Sequence, residues 1–89
     1  MRILRKASPP IAGDPERELS YEIAQQVFDL RNSEGLTQGQ LAERAGTKQP
    51  NISGVESATK LPTLGLLLRI ATALNRRLVI RFEPRKGEE

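Results

Sequence analysis

Between Gly35 and Glu56 the chain has room for two short helices and a tight turn, and for nothing larger. Thr37, with Gln40 three residues on, has the reciprocal pattern of a helix N-terminus. Leu41, Ala42 and Ala45 make a short apolar face, and Gly46 breaks the helix after two turns. A second short helix is predicted from about Lys48 or Gln49 to Glu56, with Ile52 and Val55 as its inward pair. Any fold for this sequence must support that pair from both sides.

The flanks supply the support. Leu19, Ile23, Val27 and Leu30 recur at helical spacing, widened by Ala24 and Phe28, and Gly35 ends that helix. After a loop over residues 57–62, which Pro62 bars from continuing the helix, Thr63 caps a fourth helix. Leu64, Leu67, Leu68, Ala71 and Leu74 are its expected buried stripe, and Asn75 can take the left-handed conformation at its end. Residues 77–83 differ: Arg-Leu-Val-Ile-Arg-Phe-Glu is β-branched and apolar, bounded by Asn75 and Pro84, and reads as one strand. A lone strand cannot satisfy its own backbone, so it needs its twin in a second copy, or residues 2–5. The twin is the simpler partner and gives a two-fold dimer. The expected organisation is therefore a tail over 1–18, a helical domain over 19–75, and a dimerisation strand with a frayed end over 76–89. Leu78, Val79, Ile80, Arg81 and Phe82 are the expected dimer contacts.

Composition narrows the chemistry. An 89-residue chain holds one small domain, with no room for a catalytic domain beside it. There is no cysteine and no histidine, which removes disulfides, the usual zinc sites, and thiol or imidazole catalysis. No metal, no cofactor and no enzymatic activity are expected, since no carboxylate spacing makes a metal set or an acid–base pair. No apolar run is long enough to cross a membrane, and the basic Met1–Lys6 lacks the apolar stretch of a signal peptide, so the expected location is the cytoplasm. A net charge of +3 is compatible with nucleic acid, but two Phe and one Tyr are too few for a single-strand stacking platform.

Two short helices about a glycine turn are the signature of a helix-turn-helix. Physical chemistry then names contacts. Thr37 and Gln38 sit at a helix N-terminus, where backbone N–H groups suit a phosphate, and Gln38 can add a side-chain bond. The N-terminal residues of the next helix should meet base edges. Gln49 lies there, and its amide can pair bidentately with adenine. Pro50, Asn51, Ser53 and Gly54 complete the candidate base-facing set. Pro50 has no N–H but is tolerated in a first turn and could touch a thymine methyl. Lys48, Ser57, Thr59 and Lys60 flank the helix as candidate phosphate contacts.

In register, Gly-Leu-Thr-Gln (35–38), Leu-Ala (41–42), Ala-Gly (45–46), Gln-Pro-x-Ile-Ser (49–53), Val-Glu (55–56) and Leu-Pro-Thr-Leu (61–64) resemble the Xre family, which includes the phage CI and Cro repressors. The resemblance covers about residues 22–75. It implies a mainly α, four- to five-helix Cro/CI-type domain that represses transcription as a dimer on a palindromic double-stranded operator. It also implies that Gln49 is the base-reading glutamine and that Ser57 and Lys60 stand at phosphate-contacting positions. A partly buried ion pair between Arg31 and Glu56 is implied as well. The sequence departs from the family at Gly54, where a long base-reading side chain is common, and at Ala58, where glycine is usual. A left-handed Ala58 would cost on the order of 1 kcal/mol.

The strand following at once resembles HigA-like antitoxins, and HipB-like ones also place a strand there. That implies a toxin partner, RelE/HigB-like or alternatively HipA-like. The Pro-broken segment 1–18, with Ile3, Leu4 and Ile11 and the start of the first helix, is the candidate to bind it. Two alternatives stay open: an Xre regulator with no toxin, and a protein-interaction module that has lost specific DNA binding.

Overall fold

The computed structural model describes residues 13–85, which form four helices: α1 (Pro15–Ser33), α2 (Gln38–Ala45), α3 (Gln49–Glu56) and α4 (Leu64–Ala73). The segment with Ile3, Leu4 and Ile11 lies outside the described residues. Helix α1 starts four residues before the expected Leu19. Asp14 is its N-cap and accepts from the Arg17 amide at 3.2 Å, Pro15 supplies a preset φ in the first turn, and Glu16 and Glu18 face the positive dipole end. The Gly-Asp-Pro sequence that read as a break is the start signal.

All four helices are followed by a left-handed residue: Gly35 (φ 72°), Gly46 (φ 69°), Ala58 (φ 58°) and Asn75 (φ 58°). After α1, Leu36 N–H donates to the Arg31 carbonyl and Gly35 N–H to Asn32, which is a complete Schellman closure. Thr47 to Ala42 closes α2 in the same way, and Arg76 to Ala71 closes α4. The end of α3 is built differently. The Gly54 carbonyl accepts from the hydroxyls of Ser57 at 3.2 Å and Thr59 at 3.5 Å. Thr37 and Thr63 cap α2 and α4 as expected; at Thr37 the box is reciprocal, with Gln40 N–H to Thr37 Oγ1 at 3.0 Å and Thr37 N–H to Gln40 Oε1 at 2.9 Å.

Helix α3 packs between α1 and α2, and α2 packs in turn on α4. Leu41, Ile52, Ile70 and Leu74 are the largest apolar side chains wholly withdrawn from solvent, joined by Val27, Leu36, Ala42, Ala45 and Val55. Two expected stripes are rotated. On α1 the buried line is Ser20, Ala24, Val27 and Arg31, while Leu19 is 48% exposed and Ile23 and Leu30 pack at the edge. On α4, Ile70 and Leu74 are buried and Leu66 and Ala73 pack beside them, but Leu64 is 63% and Leu68 57% exposed. That helix carries leucine on every side, so periodicity alone cannot choose its inner face.

The expected C-terminal strand is absent among the described residues. Residues 76–85 form no regular element; Leu78 is half-buried, Val79 and Ile80 are more than half exposed, and Phe82 is almost fully exposed. Arg81 pairs with Glu83 at 3.0 Å on the solvent side. The physical reason is that a strand needs a neighbour to take its backbone hydrogen bonds, and the described residues of one chain provide none; residues 2–5, the expected partner within the chain, lie outside the described residues.

Candidate nucleic-acid interface

The site begins in the core, with a charge. Arg31, in the last turn of α1, and Glu56, the last residue of α3, are both buried. The guanidinium grips the carboxylate with two parallel bonds, Nε to Oε2 at 2.6 Å and Nη2 to Oε1 at 3.0 Å. Its Nη1 donates to the Leu36 carbonyl at 2.7 Å, and Phe28 lies 5.5 Å from the guanidinium carbon. Among the described residues no buried side-chain polar atom lacks a partner. A fully hydrogen-bonded bidentate pair is the form in which charge can be taken from water. The pair expected from the sequence is thus present, and it fixes α3 to α1 and to the turn leading into α2.

From Glu56 a line of hydrogen bonds runs outward. Oε1 of the carboxylate also accepts from Gln38 Nε2 at 3.0 Å, and Gln38 Oε1 accepts from Gln49 Nε2 at 3.1 Å. A carboxylate facing these donors only accepts, so Gln38 must turn its NH2 inward and its oxygen outward. Gln49 must then turn its NH2 towards Gln38, and presents its own oxygen with the remaining N–H at the surface. One acceptor and one donor on a planar amide is the pattern that complements the major-groove edge of adenine.

The remaining sequence-picked residues fall around this point. Gln49 and Pro50 form the first turn of α3 and are exposed, and Pro50 sits where its missing N–H is harmless. Asn51 is exposed and its Nδ2 donates to Thr47 Oγ1 at 2.7 Å. Ser53 and Gly54 are half-buried. Thr37 is exposed at the mouth of α2, and Lys48, at the start of α3, makes no side-chain cap. Lys60 is exposed beyond the end of α3. The hydroxyls of Ser57 and Thr59 donate to the Gly54 carbonyl, so as placed they present only oxygen lone pairs to an approaching phosphate. Gln38 differs from its expected use in one respect. Its side chain is engaged by Glu56 and Gln49, and it serves first to orient Gln49. Sequence reasoning found each member of this line but not the line itself; the spacing of a Gln in the first turn of each short helix was the available signal.

The chain and its fold are similar to those of several known proteins. Residues 27–80 match the family described as Helix-turn-helix (HTH_3). Antitoxin HigA1 of Mycobacterium tuberculosis is 35% identical over 80 residues, an alignment covering 82% of this chain and 54% of HigA1. The chain therefore spans about half the length of that curated relative. An uncharacterised HTH-type transcriptional regulator, y4dL of Sinorhizobium fredii, is 36% identical over 58 residues, 65% of this chain and 30% of the relative. Among solved structures, the restriction-modification controller protein C.AhdI from Aeromonas hydrophila superposes with a TM-score of 0.66 at 30% identity, over 68% of this chain and 88% of C.AhdI. A chain of the HipA-HipB-O2-O3 complex gives a TM-score of 0.64 at 26% identity, over 73% of this chain and 92% of its own.

Proposed function

This chain belongs to the helix-turn-helix family of DNA-binding regulators, in its Xre-type branch, and from that premise we propose that it is a dimeric repressor of its own promoter and the antitoxin of a toxin–antitoxin pair. The observation that carries the DNA-binding part is the oriented amide of Gln49, held at the start of α3 by Gln38 and ultimately by the buried Glu56–Arg31 pair. A reading group fixed before contact loses less freedom on binding. Helix α3 enters the major groove, Gln49 pairs with an adenine, and Pro50, Asn51, Ser53 and Gly54 face neighbouring bases. The first turn of α2 at Thr37 and Gln38, together with Lys48 and Lys60, meets the phosphates, and Ser57 and Thr59 join them by turning their hydroxyl donors away from the Gly54 carbonyl.

Dimerisation is supported by the exposed apolar side chains of the C-terminal segment. Leu78, Val79, Ile80, Arg81 and Phe82 pair with the same residues of a second copy as antiparallel strands, which covers the exposed apolar side chains and satisfies the backbone. Two copies of α3 then stand about 34 Å apart on a roughly palindromic operator. The antitoxin part is supported by the similarity to HigA1 and by the HipA-HipB neighbour; the toxin is of the RelE/HigB type or, alternatively, HipA-like.

The test is a mobility-shift titration of the full chain against the DNA upstream of its own gene, at two salt concentrations, with Gln49→Ala alongside. The expected result is a specific complex that weakens steeply with salt and loses roughly 1–3 kcal/mol in the variant. Absence of any specific complex would favour a protein-interaction module that uses the fold without reading DNA.

A further inference from the structure

The crest of α3 is bare. Its inner face is Ile52, Val55 and Glu56, all buried. Opposite them, one helical turn apart, lie Pro50 and Gly54, with Gln49 and Ser53 on one flank and Asn51 on the other. The line that points most directly away from the protein thus carries no hydrogen-bonding side chain at all. Nothing among the described residues asks for glycine at 54. A Cβ built there meets no atom within 4 Å, and the residue is not among those with positive φ. Gly39 and Gly65 also sit in helices, but in first turns, where the helical penalty is smallest. Gly54 lies in the last turn of the eight-residue α3 with helical backbone, where alanine is the better helix former.

We propose that Gly54 is a specificity-determining residue whose missing side chain lets the α3 backbone lie against the floor of the major groove, where the Pro50–Gly54 crest packs on a thymine 5-methyl group. The inference rests on the DNA-binding reading above. The chemistry follows from the crest: with no donor or acceptor side chain on it, an apolar partner is the one it can favour. Thymine offers the apolar group in that groove, its 5-methyl. A methyl added at Gly54 would improve the free helix and stand between the two surfaces. Affinity and stability should therefore move in opposite directions.

The experiment selects preferred duplexes from a randomised double-stranded pool with the full wild-type chain. Wild type, Gly54→Ala and the control Gly65→Ala are then titrated against the best duplex, and all three are melted. Wild type is also titrated against versions with single thymines replaced by uracil, which removes only the methyl. Gly54→Ala is expected to melt higher, by less than about 4–8 °C, yet bind the selected duplex at least about fivefold more weakly. Gly65→Ala should bind as wild type does, and one uracil position per half-site should weaken wild-type binding. The proposal is overturned if Gly54→Ala keeps wild-type affinity, if it melts lower, or if every thymine can be replaced without loss. Each of those results leaves the DNA-binding reading intact, whereas a wild-type chain that selects no sequence removes both.

Discussion

Arg31 and Glu56 set the strictest condition on any substitution in this protein. Arg31→Met leaves a buried carboxylate without its cation and should cost about 3–5 kcal/mol, read as a lower urea midpoint with unchanged slope. Replacing both, Arg31→Met with Glu56→Leu, should cost much less than the two single losses summed, because no charge is then stranded. Ala58 sits at the other end of the scale. Its φ of 58° is a backbone position that suits glycine, and Ala58→Gly should stabilise by less than about 1 kcal/mol, the relief of strain being partly offset by a freer unfolded chain. Thermal melts of Ala58→Gly and Gly54→Ala test the two glycine arguments side by side. One residue is an alanine where the backbone favours glycine, and the other a glycine where the backbone accepts alanine.

At the level of elements, capping decides where helices begin and end. Thr37→Ala removes one half of a reciprocal box and should cost about 1 kcal/mol, seen in chemical denaturation. These boundaries were legible in the sequence wherever a single residue type carries the signal. Thr37 with Gln40, Thr63, Gly35, Gly46 and Asn75 all act as read. The start of α1 was not legible as such, because Gly13-Asp14-Pro15 is equally a turn and a cap. Nor was the inner face of α4, since Leu64, Leu66, Leu67 and Leu68 offer the core a choice that only tertiary packing makes. The ion pair and Gln49 could be picked from the family pattern in the sequence. The bond from Gln38 to both Glu56 and Gln49 could not, because it depends on the angle between α2 and α3. The segment 77–83 is not a strand among the described residues for a different reason: its pattern describes a paired state, and no pair for it lies among them.

For the molecule as a whole, the exposed side chains after α4 carry the main expectation. Removing residues 77–89 should yield monomers in sedimentation, while the four helices keep their helical circular dichroism; a surviving dimer would place the interface elsewhere. The line from Arg31 to Gln49 also has a consequence for what such a molecule can distinguish. Each amide along it would be symmetric in shape if turned over, and only the carboxylate at its root says which way round it stands. Glu56→Gln would change the bulk of the side chain hardly at all, yet it would remove that instruction. Gln38 and Gln49 could then settle in either sense, and the surface would carry two messages with donor and acceptor exchanged. Arg31 would be left without its counter-ion, so the variant should also lose stability; in the molecules that remain folded, the surface would still hold DNA but would no longer have a single preferred letter at that place.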